Sequence, residues 1–194
     1  MDLLKKCALN FEKILAYQYH FVFGRKGISR EFLLNFDEAD FHHLVGLHKL
    51  RDITQIQQGK RSNVFKSILN DTITMDLIQK SHFYGEMSSR IEPLTLVEKM
   101  LDDNKLIFRY NEKIHKYSVI KADYLLEWKN DANSLYLFLG KRDESEIQMC
   151  RTFFPKQDKD YAQGQAQYTL LKKEKICLSN HNVEVQYDRL TFKH

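Results

Sequence analysis

The sequence has no run of about 18 apolar residues that could span a bilayer, and its first apolar window, in MDLLKKCALNFEKILAYQYH, is broken by charges, unlike the core of a signal peptide. A cytoplasmic protein without a membrane partner is therefore expected. It has only three cysteines, Cys7, Cys150 and Cys177, widely spaced and without a CxxC pair, which argues against a disulfide framework and a thiolate zinc site. Two prolines, 43% hydrophobic residues and 12% aromatics exclude the apolar-poor composition of a disordered chain. Walker A, GxGxxG, HExxH, GxSxG and EF-hand patterns are also missing, which sets aside the common nucleotide, metalloprotease, hydrolase and calcium readings. The formal net charge of +4 is compatible with a polyanionic partner without requiring one.

What is present fits one domain, residues 1–194, helix-rich over 1–105 and strand-rich over 106–194. Leu4, Cys7, Ala8, Phe11 and Leu15 recur at helical intervals between Leu3 and Tyr17. Tyr19, Phe21 and Phe23 alternate up to the breaker GRKG, and a second β-rich run follows from Glu31 to Phe36, so a hairpin is expected around Gly24 to Gly27. Asp37 or Asp40 can cap the next helix. Short helices are expected over Asn63–Leu69, Thr74–Lys80 continuing towards Ile91, and Leu94–Leu101, with Thr72 and Pro93 at helix starts. Strands are expected in LIFRY, YSVI, YLLEW, SLYLFLG, IQMCRTFF, YTLLKKEKICL and VEVQYDRL. The predicted class is α+β, N-terminal helices packed on a C-terminal antiparallel β-sheet.

The segment FHHLVGLHKL, Phe41 to Leu50, reads as a largely buried helix. At 100° per residue, Phe41, Leu44, Val45, His48 and Asp52 share a stripe, while His42 and Lys49 stand together on a neighbouring, outer face. His48 and Asp52 can meet as an i, i+4 pair, either as an oriented acid or base or as a core histidine satisfied by its neighbour. Gly46 inside a helix costs about 1 kcal/mol relative to alanine unless something approaches it closely. The three histidines, His42, His43 and His48, lack the spacing of a helical metal site, so neither metal nor cofactor is expected.

In the strand Ile147 to Phe154, Arg151 stands between Met149 and Phe153 on one face, which asks for a partner, a structural carboxylate or a bound phosphate. Lys141, Arg142 and Lys156 flank that strand. Tyr161, Gln163, Gln165, Gln167 and Tyr168 offer hydroxyls and amides suited to phosphate, sugar or base edges. Lys172 and Lys173 read as exposed strand positions. A histidine-bearing helix beside a sheet rich in arginine, lysine, tyrosine and threonine is chemistry suited to cutting RNA without metal.

At FHHLVGLHKLRDI, SHFYGEMSSRIEPL and RTFFPKQDKDYAQGQAQYTLLKKEKI the chain resembles the PBECR4 family, phage-associated domains related to Barnase, EndoU, colicin E5/D and RelE nucleases. The resemblance implies a BECR-like fold, helices followed by an antiparallel sheet, and metal-independent RNase activity on phage or mobile elements. Where the family's later motif places a serine before two aromatics, this chain has Thr152 before Phe153 and Phe154. The leading expectation is an endoribonuclease activating the ribose 2′-hydroxyl against the adjacent phosphate. In it His43 or His48 transfers protons, Lys49 and Arg151 stabilise charge, and Thr152, Tyr161 or Tyr168 positions the substrate. His42, Lys141, Arg142 and Gln167 complete the expected substrate contacts. RNA is the expected partner, with an immunity or antitoxin protein as a further one. The alternative is a non-catalytic nucleic-acid- or protein-binding module on the same fold.

Overall fold

The computed structural model describes residues 1–116, 118–131, 134–141 and 146–191. Leu4, Cys7, Ala8, Phe11 and Ile14 form the buried face of α1 (Leu3–Ile14), capped where the Asp2 carboxylate accepts from the Lys5 N–H at 3.0 Å. Tyr19, Phe21 and Phe23 turn the aromatic face of β1 (Tyr17–Arg25) inward. Lys26 and Gly27, both at positive φ, turn the chain into β2 (Ile28–Leu34), the hairpin expected from GRKG.

A layer of short helices follows: α2 (Glu38–Leu44), α3 (Thr54–Gln57), α4 (Arg61–Leu69), α5 (Met75–Ile78), α6 (Ser88–Leu94) and α7 (Val97–Asp103). The helix expected from Thr74 towards Ile91 is instead divided between α5 and α6. Its break is held by Asp52, whose carboxylate accepts from the Ser81 hydroxyl and, at 2.9 Å, from the His82 N–H. Pro93, expected at a helix start, lies inside α6. Among the described residues no helix is long and apolar enough to cross a membrane.

The remaining strands are β3 (Leu106–Arg109), β4 (Tyr124–Lys129), β5 (Ser134–Lys141), β6 (Ile147–Pro155), β7 (Ala166–Cys177) and β8 (Val183–Asp188). Ser118 to Ile120 of YSVI form no strand. The Ser118 hydroxyl instead hydrogen-bonds the Tyr110 hydroxyl and accepts from the Ile120 N–H, a local competitor to a sheet ladder.

The expectation of helices on an open C-terminal antiparallel sheet is contradicted, although the fold is α+β. Strand order is β1-β2-β6-β5-β4-β3-β7-β8, and β1 also pairs with β7, so seven of the eight strands among the described residues close into a barrel with β8 outside the ring. The N-terminal hairpin is therefore part of the same sheet as the C-terminal strands. The link between β2 and β6 is parallel and short, Leu33 with Ile147 and Leu34 with Gln148. Closure follows from the length of β7: Ala166 to Thr169 pair with β3 on one edge, and Thr169 to Cys177 pair with β1 on the other. A register slip at Val22/Phe23 supplies the bend such closure needs.

The inward strand residues and the helices share one core. The strands β4 and β5 are buried on both faces, because Leu125, Tyr136 and Phe138 form a second cluster covered by Phe154 and Tyr161. Lys173, expected to be exposed, is 1% exposed. Its ammonium donates to the Leu101 carbonyl at 2.8 Å and to those of Asp102 and Asn104, satisfying the open C-terminal end of α7. Burial lowers its pKa to about 8.

Candidate active site

The start of α2 is fixed by a reciprocal cap. The Asp37 carboxylate accepts from the N–H groups of Ala39 (2.8 Å) and Asp40 (3.2 Å), and the Asp40 carboxylate accepts from the Asp37 N–H (2.9 Å). Asp37 and Asp40 thus share the capping role expected of either. The helix does not continue through FHHLVGLHKL. Gly46 adopts a left-handed conformation at φ +89°, and the chain re-enters as a 3-10 turn, Leu47–Lys49. A Cβ at Gly46 would lie 2.9 Å from Met87 Cβ and 3.2 Å from Arg90 Cδ, the close approach its place in an apolar segment suggested.

This break rearranges the histidines. In a continuous helix His43 and His48 would point about 140° apart; here their rings stack, centroids 4.5 Å apart and planes 22° from parallel. Asp52 is turned away to the Ser81 loop, so the expected His48–Asp52 pair does not form. Lys49 lines the cavity described below, and His42 is not among its lining residues. His42 is buried at 6% exposure, facing the Ile56 backbone carbonyl.

The strand β6 contributes through a bulge. Phe138 pairs with Thr152 and Leu139 with Cys150, leaving Arg151 as the extra residue. Cys150 and Phe153 both turn inward while Arg151 is exposed, so simple alternation fails at this point. The Arg151 side chain lies over Gly140, where a Cβ would come 2.7 Å from its Nε, and its guanidinium donates to the Lys141 carbonyl at 2.7 Å. That carbonyl, rather than a carboxylate, is its partner among the described residues.

Between these elements lies a cavity of about 620 Å³ lined by His43, His48, Lys49, Arg151, Thr152 and Tyr161, six residues singled out from sequence, together with Ser89, Arg90, Lys121 and Gln157. Arg90 on α6 is half-buried, its guanidinium carbon 5.8 Å from the Phe154 ring centroid. Neither Arg90 nor Arg151 has a carboxylate within ion-pair distance among the described residues. Glu86, also at the cavity wall, is tied to Arg51 at 3.3 Å. Two guanidiniums without carboxylate partners among the described residues, beside a lysine, have the donor geometry and charge suited to an oxyanion.

Burial lowers the pKa of both histidines. For His48 burial is assisted by His43, Arg90 and Lys49 and brings it to about 4. For His43 the downward pull of burial is opposed by the facing Arg151 backbone carbonyl, which favours its imidazolium. Both rings are therefore neutral near pH 7 in the free protein, and His43 takes a proton more readily. Burial also lowers the pKa of Arg90.

The other expected residues lie elsewhere. Lys141 is paired with Glu146 at 2.7 Å. Tyr168 packs edge-on against Phe23 and lines a separate cavity. Gln167 is exposed on β7 opposite Phe108, and Arg142 lies outside the described residues. Arg90 and Ser89 were passed over in sequence, although both stand in SHFYGEMSSRIEPL. Among the described residues no three His, Cys, Asp or Glu side chains are grouped to hold a metal ion.

The pattern of one family, PBECR4, phage-Barnase-EndoU-ColicinE5/D-RelE like nuclease4, matches residues 3–190. No curated protein and no solved structure matches the chain.

Proposed function

Because the chain belongs to the PBECR4 nuclease-like family, we propose that it is a metal-independent endoribonuclease of phage or mobile-element type whose chemistry is carried by the stacked pair His43 and His48. The observation that supports this most is their position on one cavity wall with Arg90 and Arg151, two guanidiniums free of carboxylate partners among the described residues.

In this reading His48, the more firmly neutral ring, removes the proton from a ribose 2′-hydroxyl. The 2′-oxygen bonds to the adjacent phosphorus, and the P–O5′ bond breaks. A bound phosphate offsets the local positive charge and favours an imidazolium. His43, already supported by the Arg151 carbonyl, carries that proton and gives it to the departing 5′-oxygen. The products are a 2′,3′-cyclic phosphate and a 5′-hydroxyl. Arg90, Arg151 and Lys49 stabilise the charge that builds on the phosphoryl oxygens, and the Thr152 hydroxyl donates a hydrogen bond to one of them.

The test is incubation of end-labelled single-stranded and structured RNA with the protein in EDTA. Cleavage leaving cyclic phosphate ends is expected, reduced by about 10²–10⁴-fold in His48→Ala and in His43→Ala, with circular dichroism unchanged. Undiminished cleavage by the double variant would refute the histidine mechanism. Binding that weakens steeply with salt but yields no product would replace the enzyme with a binding module.

A further inference from the structure

The cavity at the histidine pair adjoins a larger one of about 810 Å³, the two sharing Arg151 and Lys121 as lining residues. Arg109, Lys113 and Lys141 complete the cationic lining of the larger cavity, against two carboxylates, Glu112 and Asp123. Asp123 is occupied: it pairs with Arg109 at 3.2 Å and accepts from the Lys141 N–H at 3.3 Å. Lys141 is itself paired with Glu146. Lys113, Lys121 and Arg151 remain without a carboxylate partner among the described residues.

The segment that carries Lys113 is anchored. The Gln165 side chain accepts from the Asn111 N–H at 2.8 Å and donates to the Asn111 carbonyl at 3.2 Å. The His115 ring meets the Tyr161 carbonyl at 3.0 Å. Lys113 therefore stands on a braced 3-10 turn, Glu112–Ile114, and lines the same cavity as Gly140 and Arg151. Cations without carboxylate partners among the described residues, set along a groove, suit a polyanion with regularly repeated charges. On the opposite side of His43 the adjoining cavity contains Asp37 and Asp40 beside Arg61, a mixed lining that offers no comparable run.

We infer that Lys113 and Lys121, beyond Arg151 at the shared wall of the two cavities, form a second phosphate subsite, so that the substrate is a polynucleotide strand gripped on one flank of the cleavage position by at least one further phosphate. This rests on the reading of the histidine cavity as the cleavage site, and it is tested without cleavage. Fluorescence anisotropy would follow binding of uncleavable 2′-O-methyl oligonucleotides, a dinucleotide and its extensions by one and two residues at the 5′ or the 3′ end, at several salt concentrations. Extension at one end only should steepen the slope of log affinity against log salt by about 0.7 for the added phosphate contact. Lys113→Ala, at an exposed position outside the histidine cavity, should remove that increment and leave dinucleotide affinity unchanged. Equal gains from both ends, no gain, or a gain that survives Lys113→Ala would overturn the subsite. The result is independent of whether RNA is cut, because the ligands cannot cyclise.

Discussion

Gly140 adopts none of the left-handed conformations that demand glycine, yet a methyl group there would fall 2.7 Å from Arg151 Nε and 3.1 Å from its Cγ. The glycine thus serves another residue's placement. Gly140→Ala should push Arg151 off the β5 surface without disturbing the core, because the displaced atoms belong to an exposed, flexible side chain. Cleavage should fall by about 10²-fold, as for the loss of one charge-stabilising donor, with thermal stability close to wild type; a variant as active as wild type would show that Arg151 is not placed for chemistry. In the proposed mechanism the histidines set the pH dependence. His48 must be neutral and its pKa is lowered to about 4, so the acid limb of kcat/KM should lie well below the ordinary histidine value of about 6.5. His43 must be protonated and its pKa is lowered too, so activity falls again as pH rises through that depressed value. The optimum of kcat/KM is therefore expected below pH 6.5, and an optimum above pH 8 would contradict these roles.

At the scale of elements, the turn at Gly46 does more than any helix to create the site. Its positive φ ends α2, its missing Cβ admits Met87 and Arg90, and the 3-10 turn after it folds His48 back on His43. Gly46→Ala should cost about 1–3 kcal/mol from backbone strain alone, and more from the Met87 contact, measurable by urea unfolding, with cleavage reduced even at temperatures where the variant remains folded. A variant of full stability and activity would show that the turn is not needed. Much of the local structure was legible. The spacing of Leu4, Cys7, Ala8 and Phe11 defined α1, GRKG defined the hairpin, and Asp37 or Asp40 was marked as the cap that the two in fact share. Helical geometry could not show the histidine stack, because the 100° rule ends where φ becomes positive. Nor could alternation place Arg151 correctly, since the bulge at Phe138/Leu139 shifts the facing of everything beyond it.

Across the whole molecule, closure of the barrel depends on β1 meeting β7, with Tyr17 opposite Cys177. No local pattern records a pairing across that length of chain, which is why an open sheet was expected. Lys173 was misread for a related reason: alternation places it opposite Lys172 but does not say which side a helix end will occupy, and the carbonyls of α7 receive its ammonium. The same long-range assembly brings α2, α6 and β6 to one cavity, so residues far apart in sequence converge there: His43, Arg90 and Arg151. Six of the residues marked in sequence reach that cavity, while Lys141 lines the adjoining one instead, and Gln167 and Tyr168, marked by chemical type, belong to other parts of the surface.

The central claim is that the ribose 2′-hydroxyl is the nucleophile, activated by the histidine pair. The most direct measurement uses an RNA with one 2′-deoxynucleotide placed immediately 5′ of the principal scissile phosphate, digested in EDTA and resolved at single-nucleotide resolution. Cleavage should vanish at that linkage alone and continue at others with cyclic phosphate ends; undiminished cutting at the deoxy linkage would contradict the account.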